Sequence, residues 1–136
     1  MPALTRWFIK AAMLYLVAAL ALSVVMQSAL AGQLPLLRAL WPTYLHLLVV
    51  GWLTQLIFGV AFWMFPKYSS ASPRGHDALG WACFVLLNLG LLLRAVAEPL
   101  QAVGRPHAPL LIASAVAQLL AGWGFVANTW PRVKER

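Results

Sequence analysis

Four long apolar runs fill most of this chain, separated by short polar stretches rich in proline and glycine. A helix needs about 20 apolar residues to cross a bilayer. The runs predict helices over about 7–31, 41–65, 78–97 and 109–130. The expected fold is all-α: a single-domain, four-helix integral membrane bundle of up-down-up-down topology.

The breaks support this reading. Pro35 and Arg38 sit in the first connection, Pro66-Lys67 stops the second run, and YSSASPRGHD and QAVGRPHA form the other two connections. Pro42 and Pro109 open the second and fourth helices, where a missing N–H costs nothing. The third helix is expected to end at Glu98-Pro99. Ala29-Leu30-Ala31 resembles a signal cleavage site, but the apolar stretch after Lys10 is too long for a usual signal core, so a retained spanning helix is expected. Trp41 and Tyr44 fit an interfacial belt. Gly51, Gln55 and Gly59 recur every four residues on the side away from His46, and Ser114, Gln118 and Gly122 form a similar stripe on the face of His107. Small residues at that spacing let helices approach closely. Asn88 is placed to pair with Gln55 or Gln118.

Composition strengthens the membrane reading. The chain of 136 residues is 62% hydrophobic and 10% charged, with a mean hydropathy of +0.80, far too apolar for a soluble domain. One cysteine, Cys83, excludes an intrachain disulfide. The net charge of +7 has no basic cluster outside the membrane ends, which argues against nucleic-acid binding. Of the Lys and Arg residues, seven fall on the side of the termini (Arg6, Lys10, Lys67, Arg74, Arg132, Lys134, Arg136) and three on the other (Arg38, Arg94, Arg105). That asymmetry predicts both termini in the cytoplasm and an inner (plasma) membrane location.

The candidate chemistry lies on histidines. His46 sits about 7 Å below Trp41 on the second helix, where an ionisable side chain in a membrane points to function. His107 lies at the start of the fourth helix at comparable depth. Two imidazoles on facing helices are what a b-type haem needs. Arg94 and Arg105, at the same end, are the candidate partners of its carboxylates. Trp41, Tyr44, Val49, Val50 and Leu53 are the candidate pocket wall. Simpler roles stand beside these. His46 would hydrogen-bond to a neighbouring helix, His107 would be a headgroup-level loop residue, and Arg94 would pair with Glu98 four residues on. The second axial ligand is either His107 or His46 of another copy in a homodimer or higher homo-oligomer.

The segment YLHLLVVGWLTQLIFGVAFWMFPK resembles the second membrane helix of subunit I of the haem-copper oxidase superfamily, which includes nitric oxide reductases. There a histidine near the outer end is an axial ligand of the low-spin haem, a position His46 matches. Gly51 and Trp52 match the glycine and tryptophan that often follow, and Phe65, Pro66 and Lys67 match the closing pattern. The resemblance covers 41–67 and more loosely the first three helices. It departs from the family in having four helices rather than many more, and in lacking the copper-binding histidines and the His-x-His pair. It therefore implies haem ligation by His46 and no oxygen or nitric oxide reduction by this chain alone.

The expected function is membrane-embedded haem b (protohaem IX) binding for electron transfer or haem-based sensing linked to respiration, without catalysis of its own. Expected partners are the lipid bilayer, further copies of the chain, and a respiratory-chain redox partner or a quinone. The alternative is a cofactor-free accessory or assembly subunit of a respiratory oxidase. A small transporter is disfavoured because the first helix has no carboxylate and Glu98 lies near a boundary.

Overall fold

The computed structural model describes residues 1–28, 30–70, 74–105 and 107–133. Ala29, Pro73, Pro106, Lys134 and Arg136, which enter the sequence reading, lie outside that set, as does the Arg38 side chain. All regular structure among the described residues is helical. The four main helices are α1 (Ala3–Gln27), α2 (Trp41–Met64), α3 (Asp77–Ala102) and α4 (Ala108–Thr129), the last extended by a tight turn at Trp130–Arg132. Each is long and apolar enough to cross a membrane. Two single-turn helices, Leu30–Gln33 and Pro35–Arg38, occupy the first connection, where the sequence predicts a plain loop.

α3 runs one turn beyond its expected end. Pro99 lacks an N–H, yet its carbonyl still accepts from the Val103 N–H at 3.2 Å, so the helix continues to Ala102. This matters for the site, because it holds Glu98 within a helical turn. At the end of α2, Pro66 forces Phe65 into an extended conformation (ψ 149°). The carbonyls orphaned there are collected by Arg132. Its Nη2 donates to Phe62 O (3.0 Å) and Phe65 O (2.8 Å), and its Nε donates to Pro66 O (3.0 Å). The Arg132 residue is only 1% exposed. A basic side chain on the last carbonyls of a helix also complements the helix dipole.

α2 is not uniform. Leu47–Thr54 forms a π-helical segment, immediately after His46. The buried positions Thr43, Gly51, Gln55 and Gly59 fall on a four-residue period. In an α-helix of 3.6 residues per turn, such a period drifts by about 40° at each repeat. Wider turns absorb the drift and keep the whole stripe facing the bundle.

α1 packs along α2, α3 packs along α4, and α2 meets α3 near His46. The core contains Leu4, Phe8, Phe62, Leu87 and Ala121. The Phe8 ring stands edge-on to Phe84, with centroids 5.1 Å apart, and Phe58 stacks on Phe125 at 3.8 Å, bridging α2 to α4. Halfway along the bundle, Tyr15 Oη (2.9 Å) and Gln55 Nε2 (3.3 Å) both donate to Asn88 Oδ1, so Asn88 takes Gln55 of its two expected partners.

The glycines of α2 permit its contact with α1. A Cβ on Gly51 would stand 2.8 Å from Tyr15 Cβ, and one on Gly59 would stand 2.7 Å from Phe8 Cβ. Gly122 of α4 has nothing within 4 Å of that position. Gly51→Leu is therefore expected to lower stability by about 1–3 kcal/mol, the usual cost of overpacking, whereas Gly122→Ala should stay within about 0.5 kcal/mol. Thermal unfolding in detergent, followed by circular dichroism, checks both.

Candidate functional site

The polar residues at the His46 end of the bundle form one connected cluster. Pro42 lies one turn before His46 and, as a proline, fits the first turn of α2. His46 Nδ1 lies 2.8 Å from the Pro42 carbonyl and 2.9 Å from Glu98 Oε1. Both are acceptors, so Nδ1 carries the proton. His46 Nε2 lies 3.1 Å from Arg94 Nη1. A guanidinium only donates, so Nε2 presents its lone pair.

Glu98 is the junction. Its Oε2 accepts from Thr43 Oγ1 at 2.8 Å, and its Oε1 takes the His46 contact. Arg94, one turn earlier on α3, stands 3.7 Å from the same Oε1, close enough for charge attraction but too far for a good hydrogen bond. The Glu98 side chain is 9% exposed, against 21% for Arg94 and 29% for His46. Arg94 Nε donates to Ser114 Oγ at 3.1 Å, and Ser114, fully buried, donates to the Gly90 carbonyl at 2.7 Å. Gln118 Nε2 reaches the same hydroxyl at 3.3 Å. Three helices thus contribute to a network with one cation and one anion, whose formal charges cancel.

Beside the network lies a cleft of about 420 Å³, lined by Ala39, Pro42, Arg94, Glu98, Gln101, Ala102 and Leu111. Arg94 and Glu98 are its charged residues, and Pro42, Leu111 and the alanines its apolar walls. Two of its lining residues lie one helical turn along the chain from the candidate histidines. Pro42 is four residues before His46, and Leu111, whose N–H bonds to the His107 carbonyl at 3.3 Å, is four residues after His107.

The remaining candidates are placed as follows. His107 is exposed and immediately precedes α4. Arg105 is exposed in the connection before it, its backbone N–H bonded to the Leu100 carbonyl. Tyr44 is half-buried against Trp41, with ring centroids 5.3 Å apart. Val49 and Leu53 are exposed on the outer surface of α2, whereas Val50 packs on the core. None of Tyr44, Val49, Val50 and Leu53 lines the cleft. Among the described residues, no group of three or more His, Cys, Asp or Glu side chains is arranged to hold a metal ion.

Sequence reasoning left out Thr43 and the contact of Glu98 with His46. Assigning Glu98 to a helix boundary concealed the second. The i, i+4 spacing of Arg94 and Glu98, continued through Pro99, was the available signal. No family model matches the chain, and neither a curated protein nor a solved structure matches it.

Removing one member of a buried ion pair leaves the other uncompensated. Glu98→Ala is expected to destabilise the bundle by on the order of 3 kcal/mol. The double variant Arg94→Leu/Glu98→Leu, which removes both charges, should lose clearly less. Comparing the two unfolding midpoints in detergent tests whether the cluster behaves as one unit.

Proposed function

We propose that this chain is an up-down-up-down membrane protein with both termini in the cytoplasm, and that it binds b-type haem beside His46 for electron transfer or haem-based sensing in a respiratory membrane. One observation carries the reading: the Nδ1–H of His46 is anchored by the Pro42 carbonyl and Glu98, which leaves the ring's lone pair on Nε2. Metal-ligating histidines are oriented in this way by a carbonyl or carboxylate behind the ring, which also raises the basicity of the ligating nitrogen.

Neither histidine lines the cleft, so a haem bound there would have to displace Arg94 from His46 Nε2. His46 would supply one nitrogen ligand, and His107, or His46 of a second copy, would supply the other. Arg94 at the cleft, and Arg105 in the exposed connection before α4, would offer guanidinium groups for the carboxylates. Pro42, Leu111, Ala39 and Ala102 give apolar walls. When bound, the haem supplies one-electron redox chemistry. The chain's own residues fix the imidazole, hold its proton on Nδ1 and keep the charge around it balanced. The resemblance of 41–67 to the low-spin-haem helix of haem-copper oxidase subunit I points the same way.

A second reading is favoured by one contact. Arg94 already donates to His46 Nε2, so the network is closed without any added group. In that reading the chain is a cofactor-free accessory or assembly subunit of a respiratory oxidase.

A visible spectrum of the detergent-purified protein, before and after dithionite, separates the two. Sharp α and β bands on reduction are expected, and His46→Ala should abolish them while helical circular dichroism is retained. A flat spectrum after haem is added back, together with co-purification in a larger complex, selects the accessory-subunit reading.

A further inference from the structure

The cleft beside the network has charges of both signs on one wall. Arg94, Glu98 and Gln101 follow one another on α3 at four- and three-residue spacing and all line it, so they form one stripe of that helix. Ala39, Pro42, Ala102 and Leu111 make the apolar remainder. Gln101 and Ala102 are exposed, so the cleft opens at the surface.

Its depth follows from the helices that form it. Pro42 is in the first turn of α2, Leu111 is in the first turn of α4, and Glu98 to Ala102 close α3. At a rise of ~1.5 Å per residue, each lies within about 6 Å of a helix end. In a bilayer that is the level of the headgroups. The Trp41–Tyr44 ring pair, on the same turn of α2 as Pro42, fits the aromatic belt found there.

The network leaves capacity on both charged side chains. Arg94 uses Nη1 on His46 and Nε on Ser114, and Nη2 takes part in neither bond. Glu98 accepts one bond at each oxygen, from Thr43 and from His46, and a carboxylate has about four lone-pair sites. The Gln101 carboxamide adds a neutral donor. A lone anion in the cleft would meet Glu98. A lone cation would meet Arg94, whose Nη1 is 3.7 Å from Glu98 Oε1. A ligand with both charges on neighbouring groups satisfies this wall without repulsion, and the apolar remainder calls for an amphiphile.

We infer that the cleft binds the headgroup of a zwitterionic phospholipid with a primary ammonium, an ethanolamine phospholipid. The phosphate accepts from Arg94 Nη2 and Gln101 Nε2, the ammonium donates to Glu98, and the glycerol end lies against Pro42 and Leu111. A choline headgroup has no N–H to give Glu98. A glycerol headgroup sets a net anion beside the carboxylate. Binding leaves Arg94 Nη1 on His46 and does not rest on the haem reading.

The test incubates the full chain in detergent with equal amounts of ethanolamine, choline and glycerol phospholipids of identical acyl chains. Native mass spectrometry counts what stays bound. Wild type should retain the ethanolamine lipid at least about fivefold over either competitor. Glu98→Gln should lose the preference over choline and turn towards the anionic glycerol lipid, because Arg94 is then unopposed. A merely structural Glu98 would not invert the order. Equal retention of the three by wild type, or an unchanged order in Glu98→Gln, overturns the inference.

Should Glu98→Gln fail to fold, Ala102→Phe fills the cleft from an exposed position and leaves its charges alone. The ethanolamine preference should then disappear, and its persistence counts against the site. Soluble phosphoethanolamine in excess should leave the bound lipid in place, because it lacks the apolar part that the walls cover. Displacement would assign the cleft to a soluble zwitterion and overturn the lipid assignment.

Discussion

Glu98 has one negative charge and two oxygens, and its side chain is nine-tenths buried in an apolar bundle. Every group around it follows from that constraint. Thr43 satisfies one oxygen, His46 the other, and Arg94 balances the charge from the preceding turn of its own helix. The arrangement in turn determines the state of the histidine. A carboxylate and a carbonyl behind Nδ1 hold the proton there and aim the opposite nitrogen at α3. The same carboxylate therefore keeps two helices together and gives the imidazole a defined polarity. In a bilayer, unpaired ionisable groups are expelled or neutralised, so a cluster of this kind persists only if it is closed.

The packing elsewhere is arranged to hold this end in place. Gly51 and Gly59 draw α1 against α2, Gly90 brings α3 close to α4 beside Ser114, and Phe58 stacks on Phe125 across the bundle. Ser114 links packing to polarity, since its hydroxyl ties α4 to the α3 backbone and also holds the Arg94 guanidinium.

Much of this was legible in the sequence because the membrane restricts what apolar runs can become. Runs of about 20 apolar residues have helix as the outcome that satisfies their backbone, and prolines at 42, 66 and 109 mark where helices begin or stop. The i, i+4 pair of Arg94 and Glu98 was visible too, and so was the four-residue stripe on α2. Two features were hidden. Pro99 reads as a stop, but a proline interrupts only its own N–H, and the helix carries Glu98 past the expected boundary. The π-helical segment of α2 contains no breaker at all. Its trace is the mismatch between a strict period of four and a helix of 3.6 residues per turn, which is easily taken for an ordinary close-packing motif. Val49 and Leu53 are near His46 in sequence yet exposed on the outer surface of α2, since proximity does not decide which side of a helix faces a neighbour.

The Arg132 clasp has a consequence for how such a chain assembles. The carbonyls that end α2 belong to the second span, yet their partner follows the fourth. During synthesis the second span exists long before Arg132 does, and its terminal carbonyls must be served in the interim by water or lipid headgroups. The permanent bonds form only when α4 has packed with its end beside the end of α2. A chain whose third or fourth span failed to insert would carry Arg132 to the wrong face, or never bring it to Phe62 and Phe65. The clasp thus ties the end of α2 to the turn after α4, and it can close only over a bundle in which all four helices have packed.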